Sequence, residues 1–392
     1  MLPPGADAVV VRHGDVGVKS SSVQSDMERR LRENLAAILD DRGIPGEVER
    51  EWGRLLVRTP DPDAAADAAA DTFGVVSASP ALSVPAEMDS ICGALALTAR
   101  TCYDGGAYAV DARRAGSHDF GSHDVNREGG DAVWHAVEQD LRPEVDLDDP
   151  DITFSVEVRH EEAFVFVESR DGPGGMPLGT QKPLVALVSG GIDSPVAAWE
   201  AMKRGSPVVP LYLDLGPYGG PDHRARAEET ARQLSAYAPN FDLRLRVADA
   251  GDAVRRLGDD VGRTRMLSYR RFMYRVAERL AEQVGAVGIV TGESLGQKSS
   301  QTAANFAVVD RVTDLPVHRP LFALDKQEII GRARDIGTYR DSTLDVGCER
   351  LAPNQPLTAA SMDSVRKDEP DDLFEWADDA ADGIEVSGGM PA

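Results

Sequence analysis

The chain has 392 residues, enough for two or three domains with a sizeable core. Its 66 acidic residues against 42 basic ones give a formal net charge of -24, and only six of the basic residues are lysines, so a broadly cationic nucleic-acid binder is excluded. An acidic, lysine-poor surface of this kind stays hydrated in concentrated salt and points to a halophilic host; any polyanionic partner must meet a local basic patch.

No apolar run approaches the roughly 20 residues that cross a bilayer, and the N-terminus lacks the charged start and apolar core of a signal peptide, so a cytoplasmic protein without membrane contact is expected. Cys92, Cys102 and Cys348 are scattered, with no CxxC or Cys/His cluster at ligand spacing. This argues against a disulfide framework, a metal site or an iron–sulfur cluster.

In chain order, "AVVVRH" (8–13) reads as a strand and 22–39 as a helix. "EVEREWGRLLVRTP" alternates as strands do, and "DPDAAADAAADTF" is an alanine-rich helix with aspartates at its positive end. This is a small α+β unit. A second segment follows as β-α-β-α-β: strand "GVVSASPAL", helix "EMDSICGALALTARTCY", strand "AYAVDARR", helix "DAVWHAVEQDL" and the alternating hairpin "ITFSVEVRHEEAFVFVES". "RDGPGGMPLGTQK" (170–182) has the Gly/Pro density of a linker.

The third segment alternates apolar strands ("PLVALVS", "PVVPLYLDLG", "LRLRVAD", "AVGIVTGE", "VHRPLFAL") with helices near 195–204, 225–238, 266–284 and 326–336. That order predicts a parallel sheet covered on both faces, with ligands at the carboxyl ends of its strands. Beyond about Ala352 the chain is acidic and rich in small residues, which predicts a mobile or loosely packed tail.

"SGGIDSPVA" (189–197) joins the first of these strands to a helix. Gly190 and Gly191 let the backbone approach an anion, Ser189 and Ser194 offer hydroxyls, and the helix N-terminus adds partial positive charge, so the stretch suits a pyrophosphate. A glycine-rich turn without a ligand fits the bare "SGG" as well. Asp193 is the odd member, since a carboxylate beside phosphates needs magnesium or hydrogen bonds to hold it there.

The whole string resembles the PP-loop of the ATP pyrophosphatases, which split ATP into AMP and pyrophosphate while adenylating a substrate. "VDARRAGSHDFGSHDVNREGG" (110–130) gathers Arg113, Arg114, His118, His123 and Arg127, and resembles the THUMP domain, an RNA-binding module of tRNA-modifying enzymes. The opening "RHGDVGVKSSSV", the THUMP-like stretch and "PLGTQKPLVALVSGGIDSP" together resemble the tRNA 4-thiouridine synthetase family, in a halophile-like archaeal form without a rhodanese domain. The resemblance implies an α/β chain with an N-terminal ferredoxin-like unit (1–62), a THUMP α/β domain (63–169), a parallel-sheet PP-loop domain of the adenine nucleotide alpha hydrolase type (178–352) and the acidic tail (353–392).

It further implies adenylation of uridine 8 of tRNA with Mg-ATP, then sulfur transfer that releases AMP and leaves 4-thiouridine. Matched residue by residue, the nucleotide contacts are Leu187, Val188, Ser189, Gly190, Gly191, Ser194, Tyr212, Leu213, Arg270, Gly292, Gln297 and Gln301, and the catalytic pair is Asp193 and Cys348. Lys298 and Arg319 are electrophilic helpers, whereas Arg271 and Arg275, on one helix face, suit pairing with carboxylates. For tRNA phosphates the candidates are Lys19, Arg113, Arg114 and His118. No metal is expected on a dedicated protein site, and no iron–sulfur cluster.

The expected partners are the tRNA acceptor end and a sulfur donor such as a cysteine desulfurase persulfide or sulfide, with a homodimer also among the expectations. The roughly 40 residues after Cys348 contain no second cysteine to resolve a disulfide. A role in thiamine thiazole synthesis is open. So are two other readings: a PP-loop synthetase acting on a small molecule, which would leave Cys348 unused, and a tRNA-binding protein without catalysis.

Overall fold

The computed structural model describes residues 1–14, 21–51, 54–219, 221–339 and 351–387, in two compact units, 1–177 and 178–392. Lys19 and Cys348 lie outside the described residues.

The first unit contains β1 (Ala8–His13), α1 (Ser21–Asp41), β2 (Glu47–Glu51), β3 (Arg54–Arg58), α2 (Pro62–Ala70), β4 (Val75–Pro85), α3 (Met88–Cys102), β5 (Ala107–Arg114), α4 (Ser122–Val137), β6 (Glu144–Val145), β7 (Ile152–Val158), β8 (Glu162–Phe166) and β9 (Arg170–Asp171). The strands form one sheet in the order β2-β3-β1-β4-β8-β7-β5-β6, with β9 added on β4. The eleven-residue β4 joins its two halves, pairing with β1 along most of its length and with β8 through Leu82–Pro85.

Strand alternation sends Val9, Val11, Leu55 and Val57 to one face, where they meet Leu31, Leu35 and Ile38 of α1 and the alanines of α2. In the other half, α3 and α4 place Ile91, Leu95, Val125 and Val133 against Tyr108, Phe154 and Val156. Helix α4 starts at Ser122, earlier than the apolar pattern from 131 suggested, because Asp124 caps it by accepting from Gly121 N at 2.8 Å. Gly129 then lets α3 close in: a Cβ there would sit 2.5 Å from Leu95 Cδ1.

The second unit contains β10 (Leu184–Leu187), α5 (Asp193–Lys203), β11 (Val208–Asp214), α6 (Pro221–Ser235), β12 (Arg246–Asp249), α7 (Gly251–Asp260), α8 (Arg265–Val284), β13 (Ile289–Val290), α9 (Ala303–Val309), β14 (Val317–His318), α10 (Lys326–Asp335), α11 (Met362–Asp368), α12 (Leu373–Asp382) and β15 (Glu385–Val386). Its sheet order is β14-β13-β10-β11-β12-β15, parallel throughout except for the last pair. The sequence pattern missed α7 and α9.

The fourth and fifth strands are also much shorter than their apolar runs suggested, two residues each. Pro316 and Pro320 flank β14, and a proline has no N–H to give a ladder. After β13 the chain leaves the sheet at once to build the site described below.

The acidic tail departs from expectation. Val365, Leu373, Ala377 and Ala381 are fully buried in the core of this unit, and β15 pairs antiparallel with β12. Helix α12 packs on α8, where Arg271 pairs with Glu369 at 2.8 Å and Arg275 with Asp378 at 2.8 Å. Acidity here marks a partner for the arginines of α8 rather than a solvated chain. Leu373→Ala should therefore cost about 2–5 kcal/mol of unfolding free energy, read by denaturant titration; a loose tail would lose less than about 0.5 kcal/mol.

Candidate active site

The carboxyl ends of β10, β11 and β13 open on a cavity of about 310 Å³ within the second unit. That volume is at the lower end of the roughly 300–1,000 Å³ of small-molecule sites. One wall is the loop between β10 and α5. Ser189 N donates to Ser194 Oγ at 2.9 Å, Ser194 Oγ donates back to Ser189 O at 3.3 Å, and the two hydroxyls lie 3.2 Å apart. Ser194 thus braces the loop from within, leaving Gly191 and the N-terminus of the 11-residue α5 as the anion-facing part.

Gly292, two residues beyond β13, lies against that helix start. A Cβ there would come within 2.7 Å of Asp193 C and Ser194 N, both backbone atoms that cannot yield. Asp193 receives Lys326 Nζ at 2.7 Å. Lys326 is delivered by α10, whose cap, Asp325, accepts from Gln327 N and Glu328 N at 2.8 and 3.0 Å. Asp193 is thus paired with a cation from a distant helix, where the Gly-Lys-Ser/Thr type of P-loop carries its lysine locally; Lys326 itself stands outside the cavity lining.

The floor is a buried charge network. Arg270 Nε pairs with Glu293 Oε1 at 2.9 Å and its Nη1 donates to Ser300 O at 2.6 Å. Glu293 Oε2 also accepts from Tyr274 OH at 2.5 Å and from Arg319 Nε at 2.9 Å. Burial first, and then the Glu293 carboxylate, push the Tyr274 hydroxyl well above its ordinary pKa, so it stays a neutral donor. Burial opposes the charge on Arg319, but its bonds to Asp310 and the nearby Glu293 outweigh that and hold its pKa above the usual arginine range.

An apolar wall comes from Leu187, Val188, Tyr212 and Leu213, with Met266, Tyr269 and Met273 of α8. Ala352, Pro353 and Pro356 add a third side. Their segment is tied to the start of α9: Thr302 Oγ1 donates to Thr358 O at 2.6 Å and Asn305 Nδ2 to Leu357 O at 2.9 Å.

Of the twelve sequence-derived nucleotide positions, ten line this cavity, along with Asp193 and Lys298; Gly190 and Gln297 do not. Gly190 instead faces α6, where a Cβ would approach Arg226 to 3.2 Å. Gln301 is nine-tenths buried, and its Oε1 has no partner among the described residues. Arg319 lies off the cavity and holds Glu293. Sequence reasoning missed Lys326, Glu293 and Tyr274; the only local signal was the Asp-Lys pair opening α10, 133 residues from Asp193.

In the first unit, Arg113 is highly exposed at the end of β5 and stands in register with the buried Glu157 of β7. Arg114 turns to Gly116 O at 2.8 Å, and His118 stacks on Phe120 with its Nε2 3.2 Å from His160 O. Among the described residues, no helix is long and apolar enough to cross a membrane, and no His/Cys/Asp/Glu cluster could hold a metal by itself.

Three family models match the chain in succession: the ThiI ferredoxin-like domain at residues 8–79, the THUMP domain at 86–168 and the thiamine biosynthesis protein (ThiI) at 179–373. A probable tRNA sulfurtransferase of Halobacterium salinarum is 75% identical over 377 residues, 96% of each chain. One of Methanosarcina acetivorans is 42% identical over 92% of this chain and 88% of its own. Among solved structures, a 4-thiouridine synthetase in complex with RNA and with bound ATP is similar at a TM-score of 0.86, with 29% identity, covering 97% of this chain and 99% of that one. With the ferredoxin-like, THUMP and parallel-sheet domains in that order, and with this identity along nearly its whole length, the chain belongs to the tRNA sulfurtransferase (ThiI) family.

Proposed function

We propose that the chain adenylates uridine 8 of tRNA with ATP and then exchanges the adenylate for sulfur, giving 4-thiouridine. The observation that carries this reading is the convergence, in one cavity, of the Ser189–Ser194 loop, of Asp193, which Lys326 pairs from outside the cavity, and of the apolar wall of Val188 and Tyr212. The solved relative with ATP and RNA bound supports it.

In this reading the adenine lies against Leu187, Val188, Tyr212 and Leu213. The free Gln301 carbonyl accepts from a base or ribose donor, and Arg270 meets phosphate or ribose. Uridine O4 attacks the α-phosphorus, the α–β phosphoanhydride bond breaks, and pyrophosphate leaves into the loop. Donors already held in place by the Ser189–Ser194 brace offset the charge on the leaving group without reorganising. Asp193 is the acidic side chain at the loop and suits a magnesium ion that arrives with the nucleotide, which takes one or two protein carboxylates plus phosphate oxygens. Such an ion would neutralise charge on the pyrophosphate.

Sulfur delivered at Cys348 then adds to C4 and AMP leaves. Ala352, four residues further along the chain, lines the cavity, which supports the assignment. If the sulfur travels as a persulfide, a second thiol must cleave its bond to Cys348. The donor to Cys348 is a cysteine desulfurase persulfide, whose outer sulfur passes to the Cys348 thiolate as the desulfurase thiol leaves; free sulfide as donor would instead add to C4 directly. Sulfur supply to thiamine thiazole synthesis would use the same Cys348 chemistry and no further residue of the cavity.

Nucleoside mass spectrometry on tRNA from a deletion strain complemented with variants tests the reading. Asp193→Ala should lower 4-thiouridine about a hundredfold or more, the scale of losing one charge stabiliser from such a site. Cys348→Ser should abolish 4-thiouridine yet leave tRNA-dependent pyrophosphate release intact; 4-thiouridine that persists in the deletion strain itself would sink the proposal. Gly292→Ala should weaken ATP binding at least about tenfold while the fold survives, measured by calorimetric titration beside a thermal melt.

A further inference from the structure

One face of the first unit's sheet carries Val10, Leu56, Ala81, Phe164 and Phe166 as a small apolar cluster, on the opposite side from α1 and α2. At its edge three arginines from three different strands or their ends converge on one carboxylate. Arg12 Nε donates to Glu157 Oε1 at 2.8 Å, Arg159 Nη2 donates to Glu157 Oε2 at 2.5 Å, and Arg54 Nε lies 3.2 Å from the same Oε2. Glu157 is almost wholly buried, whereas Arg54 retains 28% of its side-chain exposure and Arg113, in register with Glu157 across β5 and β7, retains 71%.

Three guanidiniums on one carboxylate leave an excess of two positive charges in a chain whose net charge is -24. Burial and the neighbouring Arg159, Arg12 and Arg113 all work against the charge on Arg54, and Glu157 only partly offsets them, so its pKa falls below the usual arginine range. Such crowding is costly in the free protein and is relieved by an anion. The arginines are also fixed in place: Arg12 Nη1 donates to Ser79 Oγ at 2.9 Å and its guanidinium lies 4.8 Å from the Phe166 ring centre. Strands β3 and β7 stand four places apart in the sheet, about 19 Å if it were flat, and their side chains still meet. The sheet therefore curls toward this face, which is concave.

We infer that Arg12, Arg54 and Arg159 form a preset phosphate clamp for the RNA backbone, with Glu157 as the positioning residue that aims them and with Arg113, whose own partner is Asp111 at 3.7 Å, exposed beside them. The inference rests on the tRNA reading above and deepens it. Exposed lysines attract RNA at long range, but the screening length shrinks to about 3 Å at 1 M salt. A concave set of arginine forks held by one buried carboxylate works at contact distance and loses little rotamer entropy on binding. That is the design an acidic, lysine-poor protein needs to hold RNA.

The test is fluorescence anisotropy of the full-length protein with labelled, unmodified tRNA over a salt series. Arg54→Gln should weaken binding about tenfold and lower the slope of log K against log salt by about one. Arg54→Lys should restore the slope but not the affinity. Glu157→Gln removes a negative charge, so charge counting predicts tighter binding, whereas a positioning role predicts weaker binding. Tighter or unchanged binding by that variant, or a wild-type constant and slope for Arg54→Gln, overturns the clamp. If Glu157→Gln does not fold, Arg159→Gln takes its place, with the same expected loss as Arg54→Gln. Polyglutamate that displaces tRNA from the wild type would assign the face to an acidic protein partner and also overturns it. Failure of wild-type protein to bind tRNA at all would instead remove the functional reading on which the clamp rests.

Discussion

The cavity of the second unit depends on one contact without side chains: the backbone of Gly292 against the backbone of Asp193 and Ser194. Because nothing larger than hydrogen fits between them, the loop leaving β13 lies directly on the start of α5. Two polar loops that would otherwise be independent become one wall. From that wall follow the position of Glu293, the next residue, and through Glu293 the positions of Arg270, Tyr274 and Arg319. The Ser189–Ser194 brace serves the same end on the other side, since it holds the loop between β10 and α5 in one conformation.

The parallel sheet and the anion loop were legible because both are local. A buried apolar strand, two glycines and a helix starting at Asp193 are visible within a dozen residues, and the resemblance to the PP-loop supplied the remaining positions along the strand ends. What stayed hidden was whatever two distant segments make together. Lys326 looks like an ordinary first-turn residue of α10 until the fold brings it to Asp193. Arg319 looks like an electrophile until its bonds to Asp310 and Glu293 show that it supports the cavity floor from outside.

The tail shows a different limit. Composition alone makes 353–392 resemble a solvated, acidic segment, because acidity and small-residue content pass over the spacing that puts Leu373, Ala377 and Ala381 on one helix face. Val365, Leu373, Ala377 and Ala381 nevertheless close the core against α8. The arginines of α8 were the available clue. A helix with Arg271 and Arg275 on one face needs carboxylates from elsewhere, and the tail held them.

Charge in this protein is therefore organised rather than spread. Single carboxylates each hold two or three arginines: Glu293 beneath the cavity, Glu157 on the concave sheet face and Asp378 on the tail helix. Isolated surface pairs are worth little, and less still when salt screens them. Pairs placed in the interior are screened much less, and their directional hydrogen bonds persist where long-range attraction does not. An excess of acid over base on the whole surface can thus coexist with anion recognition at chosen points. At Glu293 and Asp378 further carboxylates, Asp310 and the Glu278 and Glu282 of α8, take up the remaining positive charge, whereas at Glu157 the three arginines leave an excess that is open to an anion.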